Sequence, residues 1–368
     1  MDQGEINEMS RSLKKVARTI TRTITLSAIA AAAIGTFAPA PAVAAEEINL
    51  YSYRQPFLID PLVKGFTEET GIKVNVVFAK KGMLEKIKAA GANNPADAVL
   101  TVDIGRLYAL KQAGVLAPVK SDVLNADIPA HLRDPDGLWF GLTQRSRIAL
   151  VSKERVKEGE LKTYEDLADP KFRGRICMRS GKHAYNVALI ASMIAHHGKE
   201  KTKAWLEGVK ANQARKPQGN DRAQAKAVFE GQCDIAISNT YYMGKMQTND
   251  EKPEQKKWAD SVRVTFLNQG NGGRGAHMNV SGAGVLKGAK HREAAIKFIE
   301  WLTKEKAQKI YAEVNFEYPT NPKVEASALV KSWGDFKSDT LSMEDIAKNR
   351  EAASKLVDEV KFDEGPTS

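Results

Sequence analysis

A change of hydrophobic period, repeated along the chain, restricts the fold more than any single residue does. Residues 48–52, Ile-Asn-Leu-Tyr-Ser, form a short β-rich run. Over 56–70 the residues Phe57, Leu58, Pro61, Leu62 and Phe66 recur at helical spacing, and Gly71 stands where a left-handed C-cap is wanted. Residues 72–78 alternate as a strand does, 83–90 read as helix, and 98–102 form an apolar strand. Asp103 suits the N-cap of a helix that ends near Ala113-Gly114. Strand and helix in turn imply an α/β fold, a mostly parallel sheet covered by helices.

The alternation continues. Strands are expected at 147–151, 174–178, 234–238 and 262–266, and helices at 185–197, 202–211 and 223–229, with a helical turn at 164–167. A lysine-rich polar loop spans 247–257, and a glycine- and asparagine-rich loop spans 268–275. Residues 277–286 read as a strand with a glycine turn, 291–314 as one long amphipathic helix, and the tail after Phe362 as loose.

The first 45 residues differ from the rest. Lys14, Lys15, Arg18 and Arg22 precede an apolar run over 24–37, and Ala42-Val43-Ala44 fits an A-x-A cleavage site. That is the layout of a secretory signal peptide over 1–45, and the run is shorter than the ~20 residues a membrane span needs. No cysteine follows the site and no twin arginine precedes the run, so the general secretion route is expected rather than a lipoprotein. The remainder is too long for one small core and suits two lobes. The net charge of +10 is spread along the chain, which reads as a basic exterior and not as a nucleic-acid site. The two cysteines, Cys177 and Cys233, both fall in expected strands. In an oxidising compartment they pair as a structural disulfide; the alternative is two buried thiols.

The sharpest chemical signal is Ser238-Asn239-Thr240-Tyr241-Tyr242-Met243-Gly244. A strand ends there, Asn239 or Thr240 can cap a helix, and two tyrosines open it. Open α/β sheets place ligands beyond the carboxyl ends of their strands. Tyr185 lies at a second expected strand-to-helix turn. Phenolate is a hard oxygen donor with a reference pKa near ~10, so only a strongly polarising cation ionises it near neutrality. Three phenolates would balance the charge of ferric iron, whereas a divalent metal gains more from imidazole or thiolate. The alternative is that Tyr241 and Tyr242 pack half-buried or stack on an organic ligand.

Further runs carry a resemblance. Asn49-Leu50-Tyr51-Ser52-Tyr53-Arg54-Gln55-Pro56, Thr101-Val102-Asp103, the segment 166–174, Asn239-Thr240-Tyr241-Tyr242, Gly275 to Gly284 and Asn315-Phe316-Glu317-Tyr318-Pro319 together resemble the periplasmic ferric-iron-binding proteins. These are single-site bacterial transferrins with the type II periplasmic binding protein fold. The resemblance implies two α/β lobes with a ligand cleft and crossing hinge strands. It sets the N-terminal lobe at 46–145 and 270–320, and the C-terminal lobe at 146–269 and 321–368. It implies a monomer in the periplasm that hands iron, taken up as the ion or a chelate, to an ABC permease of the inner membrane. It makes Tyr185, Tyr241 and Tyr242 the metal ligands and Tyr53 a fourth ligand or a lid residue. Several members carry a histidine in the first loop, where this chain reads Arg54-Gln55-Pro56. It therefore looks more like the subgroup that uses three tyrosines and a synergistic anion, usually carbonate. Arg54 and Gln55 would donate to that anion, with Arg145 a second candidate, because a guanidinium grips an oxyanion through parallel hydrogen bonds.

Two other readings stay open. The same fold could bind an organic solute or oxyanion, or the chain could be a secreted metal-dependent hydrolase using His196, His197 and a carboxylate. The adjacent carboxylates Glu68 and Glu69 face different ways, and neither a Gly-Lys-Ser/Thr phosphate loop nor a Gly-x-Ser-x-Gly elbow occurs. No feature of the sequence speaks for catalysis.

Overall fold

The structure is a computed structural model that describes residues 46–366; the expected signal peptide lies outside the described residues. Strands β1 (Glu47–Ser52), β2 (Lys73–Phe78) and β3 (Ala98–Thr101) alternate with helices Pro56–Thr70, Met83–Ala90 and Ile104–Gln112. β1 pairs in parallel with both β2 and β3. Gly71 takes the left-handed conformation (φ 74°) and closes the first helix, and the Asp103 carboxylate caps the third through the Gly105 N–H. After the two-residue β4 (Leu116–Ala117) comes β5 (Phe140–Ser152), the long strand that joins the two lobes.

β6 (Ile176–Cys177), β7 (Ile235–Asn239), β8 (Val262–Thr265), β9 (Met278–Leu286) and β10 (Tyr318–Pro319) complete the sheet. Its main order is β2-β1-β3-β9-β5-β7-β6. Residues 140–146 of β5 pair with β9, and residues 147–152 pair with β7 and β8. The pairing partners of β5 thus change at Ser146-Arg147, beside the start of β9, where the Arg147 N–H donates to the His277 carbonyl. Cys177 of β6 and Cys233, just before β7, form a disulfide.

Four local expectations are corrected. β9 is one unbroken strand, buried throughout. Its glycines make room, not a turn: a Cβ at Gly282 would lie 2.4 Å from the Phe140 carbonyl oxygen, and one at Gly284 2.6 Å from that of Leu138. The long helix is two, Arg292–Leu302 and Glu305–Asn315. Lys304 between them is extended (ψ 157°), and the Thr303 hydroxyl bonds the Glu300 carbonyl, a local competitor to the helical ladder. The polar loop is cut short by the helix Glu254–Asp260, which takes its last four residues. The tail is held as well: Phe362 is buried, and the Asp363 carboxylate accepts from the Gly181 N–H and the Ser180 hydroxyl.

Candidate metal centre

Tyr241 and Tyr242 occupy the first turn of the helix Thr240–Gln247, directly beyond the end of β7. Tyr185 occupies the first turn of the helix Ala184–His197, after the turn that follows β6. Parallel β6 and β7 carry both turns to one edge of the sheet, so residues 56 apart meet there. The Tyr241 hydroxyl donates to the Tyr185 hydroxyl at 2.9 Å. The rings of Tyr241 and Tyr242 lie with centroids 4.5 Å apart at 38°.

Two caps serve this geometry. The His183 Nδ1 accepts from the Tyr185 N–H at 3.3 Å and fixes the start of that helix. Burial, helped by the charge of Arg179, pushes the His183 imidazole down to about 4, so near neutral pH the ring is uncharged and can accept. Asn239, expected as a cap, occupies the capping position but makes no side-chain cap. Its oxygen accepts from Arg147 Nη1 and its Nδ2 faces the Tyr241 hydroxyl at 3.3 Å. Behind the phenols, Asp221 accepts from Arg147 at 2.5 Å and from Arg179 at 2.9 Å. Both guanidiniums lie over the Tyr185 ring, at 5.8 and 5.2 Å.

Burial holds the Tyr241 phenol well above its ordinary value, and the neighbouring phenols Tyr185 and Tyr242 add to the rise. For the same reasons Tyr242 is pushed up to about 12. Without a cation these groups are neutral, as the physical argument for phenolate chemistry requires.

The three tyrosines line a cavity of about 290 Å³. Tyr53, Arg54, Gln55 and Arg145 line it too, so every residue singled out for metal or anion reaches one space. Their states differ. Arg54 is buried and its Nη2 donates to Ser281 (2.7 Å) and Glu317 (2.9 Å), so it is partly committed to an internal carboxylate. Arg145 is also buried; its Nη2 bonds the Val102 carbonyl, while its Nε and Nη1 have no partner. Gln55 precedes the helix Pro56–Thr70 with an exposed side chain. Tyr53 carries Arg106 over its ring at 4.1 Å.

Sequence reasoning missed Arg222, Lys245, Asn315 and Glu317 on the same cavity. Lys245 had a signal: it follows Tyr241 by four residues and so shares its helix face. Burial holds the Lys245 ammonium below its ordinary range. Glu317 stands between the guanidiniums of Arg54 and Arg145; burial raises its carboxyl, but those two charges more than offset this and hold it low. His196 and His197 turn to separate carboxylates, Asp339 and Glu165, each at 2.6 Å. Among the described residues no group of three or more His, Cys, Asp and Glu side chains could hold a metal.

Residues 61–338 match the family model described as bacterial extracellular solute-binding protein. "Iron uptake protein A1" of Synechocystis sp. is 48% identical over 315 residues, 85% of this chain and 87% of that protein. The ferric iron-binding protein A of Mannheimia haemolytica, in an open conformation, is 52% identical with a TM-score of 0.82, covering 87% of this chain and 99% of that one. A Trichodesmium protein (IdiA, FutA), solved with iron and citrate ligands, is 45% identical with a TM-score of 0.82, covering 86% and 99%. With two lobes joined by β5 and β9 and a cleft at the strand ends, the chain belongs to the bacterial extracellular solute-binding protein family.

Proposed function

We propose that this protein captures ferric iron through the phenolates of Tyr185, Tyr241 and Tyr242 and delivers it to an ABC-type importer. The hydroxyl contact between Tyr241 and Tyr185, with Tyr242 beside them, carries the reading. Phenols that only stacked on an organic solute would present their faces; here two hydroxyl ends converge. The names of the relatives, an iron uptake protein and ferric iron-binding proteins, point the same way.

The unpartnered donors of Arg145 and the free Nε of Arg54 suit an oxyanion, such as carbonate, on the coordination positions that the phenols leave open. Gln55 adds an amide at the rim, and Tyr53, on the same cavity, serves as a fourth ligand or as a lid. Lobes at 46–145 with 270–320 and at 146–269 with 321–368 would close by a hinge where the chain crosses between them, excluding water from the metal. Cleavage of residues 1–45 and export to the periplasm fit this role, as does a monomeric carrier that presents its closed face to a permease. The hydrolase reading is weaker, because His196 and His197 face different carboxylates.

Ferric iron added as a soluble chelate tests the assignment. A red-orange phenolate-to-iron absorption should develop, deepen with bicarbonate, and vanish in Tyr241→Phe. A colourless protein, or an unchanged band in that variant, refutes it.

A further inference from the structure

The C-terminal helices Met343–Lys348 and Arg350–Glu359 are tied to two parts of the molecule at once. On one side they are fastened to the turn that leads into Tyr185. The Asp363 carboxylate beyond them accepts from the Gly181 N–H, and Lys182 pairs with Asp358. A Cβ on Gly181 would lie 2.8 Å from Phe362 and 2.9 Å from Val357, so the tail packs directly on that turn. On the other side the segment runs along the helix Ile104–Gln112 in the opposite direction. Glu344 meets Lys111, in the last turn of that helix, at 3.1 Å, and Arg350 meets Asp103, its cap, at 3.3 Å.

Arg350 joins the two sides. Its Nη2 reaches the Asp103 carboxylate, and its Nη1 donates at 3.2 Å to the carbonyl of Ala184, the residue before Tyr185. The Asp103 side chain is buried, and among the described residues it has no other ion pair; neither has Arg350. A buried carboxylate stripped of its one counter-ion is strongly unfavourable, so Asp103 holds the guanidinium in place. Gly105 makes room for it: a Cβ there would lie 2.1 Å from the Arg350 Nε. A planar fork can serve a carboxylate and a carbonyl at once, which a single ammonium does less well. Asp103, Lys111, Glu344 and Arg350 all stand outside the tyrosine-lined cavity.

In the lobes proposed above, Asp103 and Lys111 belong to one, and Ala184, Glu344 and Arg350 belong to the other. The lobes stand together here, with Lys245 of one lying 5.4 Å from the Phe57 ring centroid of the other. We propose that Arg350, aided by Glu344, is a positioning residue that clasps the helix Ile104–Gln112 to the turn before Tyr185 and holds the cleft shut. Iron then leaves only after the clasp parts. The inference rests on the ferric and two-lobe readings. It places part of the control over iron retention in an ion pair that never touches the metal.

The test follows the phenolate-to-iron band while an excess of chelator strips iron from the parental protein and its variants. Release from Arg350→Gln should be faster by about tenfold, with the association rate and the band position unchanged, because the ligands themselves are intact. Arg350→Lys keeps a charge opposite Asp103 and should restore part of the retention. Asp103→Asn should also speed release, and adding it to Arg350→Gln should change little more, since both remove one tie. Lys252→Gln, in an exposed loop, controls for net charge and should release iron at the parental rate. Parental release from Arg350→Gln overturns the proposal, as does a shifted band or a double variant whose two effects simply multiply. Should Arg350→Gln not fold, Glu344→Gln and Arg350→Lys carry the test, and parental release from both overturns it. A parental protein without the band is a different result, for then the ferric reading fails. Small-angle X-ray scattering of the metal-free chains then decides: a larger radius of gyration in Arg350→Gln supports the clasp, and an equal one overturns it.

Discussion

Proton release measures how many phenols bind the metal. Burial pushes the Tyr242 phenol up to about 12, so ionising it near pH 7 takes about 7 kcal/mol, which the cation must supply. Tyr241 lies higher than its ordinary value for the same reason. Because the metal-free protein holds these protons, iron affinity rises with pH and iron is shed on acidification. Between about pH 6 and pH 8 each phenol that must ionise adds about one unit to the slope of log K against pH. Three phenolates give a slope of about three, and Tyr241→Phe or Tyr242→Phe lowers it by about one. Protons released by the anion contribute equally to parent and variant and cancel in the difference. Spectrophotometric competition against a chelator of known protonation constants reads the slope. A variant that still binds iron with the parental slope would refute phenolate ligation by that residue.

Other outcomes follow from the fold. Burial pushes His277 down to about 3, below its unfolded value of ~6.5, so the unfolded chain binds the extra proton and stability falls as pH drops below ~6.5. At pH 5 the loss is about 2 kcal/mol; denaturant titrations of His277→Gln should show a correspondingly flatter dependence between pH 7 and 5. Gly244→Ala would put a Cβ 2.5 Å from the Phe316 ring, which approaches the tyrosine-bearing helix from a left-handed residue (φ 55°). That overpacking should cost about 1–3 kcal/mol and weaken the iron band with it. Replacing Cys177 and Cys233 by serine opens a link across 56 residues and should lower stability by up to about 4 kcal/mol while the iron band survives.

Local signals were legible where one segment sufficed to state them. The helix Pro56–Thr70, its glycine stop and the Asp103 cap are written in a dozen residues each, and the structure reproduces them. Misreadings came from features with two meanings. Gly282 and Gly284 serve close backbone approach in a buried strand, yet in a sequence they look like a turn. Asn239 is a good capping residue, but Arg147 and Tyr241 claim its side chain. The break at Thr303-Lys304 is hidden because apolar spacing continues on both sides.

The same division holds for the site. Alternating periods determined the α/β class, and the strand-to-helix turns determined which tyrosines could reach a ligand, because both depend on neighbours in sequence. Tertiary structure alone decided that Arg54 is partly committed to Glu317, that Arg145 keeps unpartnered donors, and that Arg222, Lys245 and Asn315 share the tyrosines' cavity. Each of those outcomes depends on which charges and carbonyls lie within a few ångströms across two lobes. That proximity is set by the sheet order and by where the chain passes between lobes, for which a linear pattern carries no distance.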